Sequence, residues 1–422
     1  MSILIRQAKV LDTQSPFHNK VMDVLIENGK ITSIAKHIDK KTKKEIAVKG
    51  LHISQGFTDV FADYCEPGFE HKETLETGLK AAAAGGFTDV LLAPNTSPSV
   101  SSKSQVEYVV KKAAGNIVSL HPLGSITQQI EGKALAEMYD MKTSGALAFT
   151  DGWKPVQYAN LMLKALEYVK AFDGTVIQIP LDTSLATGGL MHEGETSTRL
   201  GMAGIPTLSE TVMLHRDIEL LRYTGSRLHV TGICTEESVN MIRKAKKDGL
   251  NISCSVTPYH LMFTDEALQD YDSVYKVSPV LRSEKDRQAL IKGVKDGTID
   301  CIASHHRPQE WDAKAKEFEY AANGMNVQEV AFSMVLTALG DKVPLERIIE
   351  AFTASPRSIL GLTDAGIRET NIANICLFLP EEKNILTPNS IQSLSRNNPV
   401  IDKPLQGKVW GIIHNNQSSF KL

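Results

Sequence analysis

A chain of 422 residues, 42% hydrophobic and 23% charged, is long enough for a large buried core and ordinary in composition for a globular protein. Its net charge of -3 leaves no basic footprint for nucleic acid or an anionic membrane surface. Five scattered cysteines without a C-x-x-C pair read as reduced thiols of a cytoplasmic protein, with no signal-peptide pattern in MSILIRQAKVLDTQ and no apolar run of membrane-spanning length.

The first fifty residues read as β structure. ILIRQAKVLD, DVLIENGKITSIA and KEIAVKGLHIS are short alternating runs, and Asn28-Gly29 is a hairpin signal. The pattern then changes to strand followed by helix, repeatedly. Strands are predicted at GFTDVFADY, TDVLLAPNT, IVSLHPLGS, ALAFTDG, TVIQIPL, RLHVTGICT, NISCSVTPY and IDCIASHH. Helices are predicted between them, at KETLETGLKAAAAG, SQVEYVVKKAAG, GKALAEMYDM, QYANLMLKALEYVKAF, LSETVMLHRDIELLRYTG, EESVNMIRKAKKDG and SEKDRQALIKGVKDG, with a closing pair near 326–340 and 345–354. The strands are nearly continuous apolar runs, as parallel strands buried on both faces require. Eight such units predict a (β/α)8 barrel, and the lack of G-x-G-x-x-G after the first strand argues against a doubly wound sheet. NICLFLPEEKNIL and KVWGIIHNN return to β structure at the end of the chain. The two ends are therefore expected to form one small β-sandwich domain, residues 1–52 plus 365–422, around a barrel of residues 53–364.

In a barrel, chemistry belongs at the C-terminal strand ends. Those ends carry Phe61 and Asp63, Asn95, His121, Asp151, Ile179, Gly232, His260, and His305 with His306. A hydrolytic metal site needs at least three converging ligands and an open position for water. Asp63, Asp151, His260, His305 and His306 are the candidates. Ile179 and Gly232 can ligate nothing, and adjacent His305 and His306 point to opposite sides of a strand. No metal, other cofactor or catalytic residue is therefore assigned. Cys65 shows no adjacent base, and neither a G-x-S-x-G elbow nor a phosphate loop is present. Asn95 suits either a ligand contact or a turn cap. The Gly-rich stretch 188–204 suits either a lid or an ordinary loop.

The motifs resemble the bacterial dihydroorotases of the cyclic amidohydrolase superfamily. The resemblance runs through QGFTDVFADYCEPGFEHKETLETGLKAAAAGGFTDVLLAPNTSP, GALAFTDG, GGLMHEGETSTRLGMAGIP, RLHVTGICTEESV, CSVTPYHLMFTDEAL, KVSPVLRSEKDRQALIKGVKDGTIDCIASHHRP and SLSRNNPVIDKPLQGKV, in the family's order. It implies a metal-dependent hydrolase barrel that interconverts carbamoyl-aspartate and dihydroorotate in pyrimidine synthesis, using zinc. It also implies where the site residues fall. The paired histidine ligands fall on Phe61 and Asp63, a substrate arginine on Cys65, and the histidine ligands of strands five and six on Ile179 and Gly232. The catalytic aspartate falls on His305, a substrate-contacting histidine on Gln309, and a substrate asparagine on Ser278. Asn95, Asp151 and Arg282 are retained. With the fold motifs kept and most ligands replaced, the resemblance predicts a non-catalytic homodimer that partners aspartate transcarbamoylase. Two alternatives are an active cyclic amidohydrolase with a centre rebuilt from Asp63, Asp151, His260 and His305 or His306, and a small-molecule sensor using Asn95 and Arg282.

Overall fold

The computed structural model describes residues 2–420. Its terminal segments build one eight-stranded sheet. Ser2–Val10, Val21–Glu27 and Lys30–Ala35 form an antiparallel meander, Lys44–Ile46 lies parallel beside Ser2–Val10, and His52–Gln55 joins them to Ile375–Ile385, Pro404–His414 and Gln417–Phe420 from the other end of the chain. Alternation along Ser2–Val10 and Ile375–Ile385 puts Ile3, Ile5, Ile375, Leu377 and Leu379 into one apolar core with Val24, Ile53 and Ile413.

Gln55 ends this sheet and Phe57 begins the barrel. Gly56 between them packs so closely that a Cβ would stand 2.2 Å from both Asn374 Oδ1 and the Thr88 side chain, which only glycine tolerates. The barrel strands are Phe57–Ala62, Phe87–Leu92, Ser119–Pro122, Val176–Gln178, Leu228–Thr231, Ile252–Val256 and Cys301–Ile302, all parallel to their neighbours. Phe149 bridges Gly124 on one side and Val176 on the other, and Ala62 bridges His306, so the ring closes with eight members.

Two predicted elements differ. ALAFTDG contributes a bridge at Phe149 rather than a strand, because Gly145 and Gly152 hold φ of 114° and 60° and leave too few extended residues for a ladder. GKALAEMYDM becomes helical only at Met138–Thr143. The preceding residues fold back instead, with Gln128 N–H bonded to Ala134 O and Ala136 N–H to Ile126 O.

The helices Leu75–Ala84, Lys103–Ala113, Ala159–Lys170, Leu208–Thr224, Glu236–Lys247 and Glu284–Lys295 cover the outside. Their starts follow local chemistry: Thr74, Thr235 and Ser283 accept the N–H of Thr77, Ser238 and Asp286 respectively. The barrel floor sits on the terminal sheet through an aromatic cluster, where Phe57 stacks on Phe352 at 5.0 Å and Phe332 meets Phe378 edge-on at 5.2 Å. Beside it, Arg357 pairs with Asp89 at 2.6 Å.

Candidate functional site

The first strand aims Phe61 into the lumen. Phe61 is fully buried and shares one apolar cluster with Leu91, Leu123, Ala148, Ile177 and Ile179, side chains of the next four barrel segments. Its ring contacts the Trp153 indole at 4.9 Å and the His305 imidazole at 4.8 Å. The lumen beneath the mouth is therefore packed with hydrocarbon and aromatic rings.

Asp63, two residues on, turns toward the mouth but is engaged by its own chain. Its carboxyl accepts Trp153 Nε1–H at 3.0 Å and Cys65 N–H at 2.8 Å. Cys65 is buried at a φ of 60°, and burial pushes its thiol far above the usual range, so it offers no thiolate. Asn95 and Asp151 meet in the next loops. Asn95 donates to Asp151 O and accepts from Trp153 N–H, both at 3.0 Å. The intervening Gly152 is required there, since a Cβ would stand 1.7 Å from Asn95 Oδ1. Asp151 accepts the N–H groups of Ile126 and Thr127 at 2.9 Å and the Thr127 hydroxyl. Burial pushes its carboxyl up to about 6 even against those hydrogen bonds.

The histidines separate as alternation requires. His305 points into the mouth, with Nε2 at 2.8 Å from Thr231 Oγ1 and Nδ1 buried without a partner. Its ring lies where a side chain at position 232 would go: a Cβ on Gly232 would stand 2.5 Å from His305 Cε1. Burial holds His305 well below the usual imidazole range, so it is neutral. His306 points the other way, with Nε2 3.6 Å from buried Glu73 and its ring edge-on to Tyr64. His260 is fixed between Thr257 Oγ1 at 2.8 Å and Val280 O at 3.1 Å, and burial lowers it to about 4. Arg282 donates to Ile205 O at 2.7 Å and lies 3.2 Å from His192 Nδ1, so it secures the loop after strand five. That Gly-rich loop carries a two-residue strand pair, Met191–His192 with Gly204–Ile205, and the short helix Glu195–Leu200.

Of the seven candidates, then, Asp63 and His305 meet at the mouth around Trp153. Asn95 and Asp151 brace the same turn. His260, Arg282 and His306 serve separate structural contacts. Two mouth residues were not singled out from sequence. Trp153 follows Asp151 by two positions and touches Phe61, Asp63 and His305. Arg307 follows His305 by two, and its guanidinium lies over the Trp153 ring at 4.4 Å. The period-two spacing from two named strand ends was the available signal.

The donor set does not fit a zinc ion. Two of the positions given to ligands by resemblance are hydrocarbon, a third is a glycine whose side-chain space is filled by His305, and the remaining carboxyls are already hydrogen-bonded. Among the described residues no group of three His, Cys, Asp or Glu converges.

A family model described as dihydro-orotase-like matches residues 51–238. The chain is 38% identical over 413 residues to a protein named dihydroorotase from Syntrophus aciditrophicus, covering 97% of both chains. It is also 38% identical over 411 residues to one from Acetivibrio thermocellus, covering 97% of this chain and 96% of that one. Among solved structures, it is similar to an L-hydantoinase from Arthrobacter aurescens, with a TM-score of 0.88 at 18% identity, covering 100% of this chain and 97% of the other. It is similar as well to a dihydropyrimidinase from Brevibacillus agri, with a TM-score of 0.84 at 19% identity over 100% of this chain and 95% of the other. The hydantoinase-type structures establish the barrel-plus-β-domain fold, and the full-length relatives establish the lineage: the chain belongs to the dihydroorotase family.

Proposed function

We propose that this chain is a non-catalytic member of the dihydroorotase family. Its barrel would act as an assembly or regulatory partner in pyrimidine biosynthesis, with aspartate transcarbamoylase as the partner and a homodimer as the working unit. One observation carries this reading: the Phe61 ring, packed between Trp153 and His305, stands where the resemblance places a metal-binding imidazole. A centre missing one ligand or its support loses about 10–100-fold in affinity or activity, and here several are replaced together.

The names of the relatives favour a second reading more directly than they favour the first. At 38% identity over nearly the whole chain, proteins named dihydroorotase support an active amidohydrolase that opens a cyclic amide C–N bond. Under that reading Asp151, raised to about 6, is the carboxyl best poised for proton transfer near neutral pH.

Assays of carbamoyl-aspartate cyclisation and dihydroorotate hydrolysis with added zinc separate the two. The first reading predicts no turnover. Turnover abolished by Asp151→Ala would establish the second. Sedimentation of an equimolar mixture with aspartate transcarbamoylase tests the partner. A stable co-sedimenting complex is expected, and independent sedimentation would remove that part of the proposal.

A further inference from the structure

Arg307 is the one mouth residue whose chemistry is left open. Its backbone is tied into the end of strand eight, where its N–H bonds to Met325 O and its carbonyl accepts Asn397 Nδ2–H at 3.1 Å. Its side chain is different. The guanidinium carbon lies over the Trp153 ring, 4.4 Å from its centroid, yet among the described residues no carboxylate stands within ion-pair distance and no acceptor takes any of its five N–H donors. The residue keeps intermediate exposure, and desolvation lowers its guanidinium from the usual range. Asp63 acts on it as an opposing charge, but its carboxyl oxygens take the Trp153 indole N–H and the Cys65 N–H instead.

This arrangement is unusual for an arginine. A partly desolvated guanidinium normally acquires a carboxylate or carbonyl partner, because leaving charged donors unmet forfeits hydrogen bonds worth more than neutral ones. Stacking on an indole removes the rotational freedom of the fork and presents its donors in one plane. A second polar atom in the same mouth is also unmet: His305 Nδ1 is buried without a partner, on a ring that contacts Trp153 at 5.4 Å. Lys72, fixed through its ammonium to Gln309 Oε1 at 3.1 Å, adds positive charge on the loop after strand one.

We propose, on the reading that the mouth is non-catalytic, that Arg307 stacked on Trp153 is a receptor for a small oxyanion, a carboxylate or a phosphate, taken by the guanidinium fork and held without turnover. The site is distinct from the retained Asn95 and Arg282, whose polar groups are engaged internally. Bidentate capture by a planar fork suits either anion, and its geometry favours Arg over Lys.

Trp153 is a built-in reporter, since the chain has three tryptophans and only this one underlies the fork. Fluorescence of the full chain is titrated with sodium phosphate and, separately, with sodium succinate, at constant ionic strength against sodium chloride. A saturable change is expected in at least one arm and not with chloride; the responding arm identifies the source of the anion. The change should disappear in Trp153→Phe. Arg307→Met should weaken binding by about tenfold or more, the scale of a lost charged hydrogen bond, and Arg307→Lys should restore only part of it. Circular dichroism of each variant checks folding, and Arg307→Lys keeps the test informative if Arg307→Met does not fold. No saturable change in either arm, or equal binding by wild type and Arg307→Met, would overturn the proposal. Turnover with zinc would instead overturn the non-catalytic reading while leaving the titration to be read by itself.

Discussion

Phe61 lies between an indole and an imidazole with no surface in water. Truncating it removes the transfer energy of the ring and leaves a void at the head of the lumen. Phe61→Ala should therefore destabilise the fold by about 3–5 kcal/mol in urea unfolding. A change under about 1 kcal/mol, the scale of an ordinary surface substitution, would show a loosely filled mouth. Asp151 makes a pH-dependent prediction of definite sign. Its folded value, raised to about 6, lies above the unfolded carboxyl value near 3.9, so its contribution is fully present below pH 3.9 and is lost as pH rises through 6. Asp151→Asn keeps an acceptor for the two N–H groups and removes the titration. Relative to wild type it should gain on the order of 2–3 kcal/mol between pH 4 and pH 7, measured as the difference in unfolding free energy. A constant difference across that range would contradict the assignment. Asp63, Asp151 and His305 were legible as strand-end residues. What they do was not, because it depends on Trp153, which reaches Asp63 across ninety positions of sequence.

At the level of elements, the polar stretch between the last two long strands proves to be a strap across the barrel. Glu329 accepts the N–H groups of Gln392 and Ser393, Glu73 accepts Leu394 N–H at 3.1 Å and the Ser393 hydroxyl, and Asn326 and Asn397 continue the seam. Burial acts to raise the Glu73 carboxyl, but His306 opposite it and the Ser393 and Thr77 hydroxyls outweigh burial and hold it below the usual range. Removing it takes away the acceptor of the Ser393 hydroxyl and the Leu394 N–H and the carboxylate opposite buried His306. Glu73→Ala should cost about 3–5 kcal/mol and speed amide exchange at Ser393 and Leu394 ahead of the barrel strands. Unchanged local exchange would mean the strap is held elsewhere. The sequence marked this stretch only as part of the family resemblance and not as a strap, since its partners come from the first barrel loop and the segment after strand eight. The strands and helices themselves were readable from apolar periodicity and capping residues. They failed at ALAFTDG and GKALAEMYDM, where positive-φ backbone at Gly145, Gly152, Gln129 and Gly132 breaks the period locally.

For the whole molecule, the junction of barrel and terminal sheet is held by a buried charge network as well as by aromatics. Asp89 accepts His121 at 3.0 Å, Arg357 at 2.6 Å and the Asn374 amide at 3.3 Å. Burial opposes ionisation of Asp89, but the His121 hydrogen bond and the Arg357 charge prevail and hold it well below the usual range. Its stabilisation is thus present above the unfolded value near 3.9 and is lost as pH falls toward the folded one. Wild type should lose stability below pH 4 more steeply than Asp89→Asn in acid-titrated unfolding; parallel slopes would exclude the network as an acid-sensitive element. The eightfold strand–helix alternation and the pairing of both chain ends were visible in the sequence because each is a repeated or local pattern. Closure of the ring through single bridges at Phe149 and His306, and the filling of its mouth, were not, because they arise only when distant strand ends meet. Whether that filled mouth still performs the family's chemistry is decided by one measurement: the zinc content of the full chain together with its dihydroorotase turnover after incubation with zinc. The packed lumen predicts substoichiometric zinc and no turnover, and a chain that retains one zinc or more and turns over dihydroorotate would contradict it.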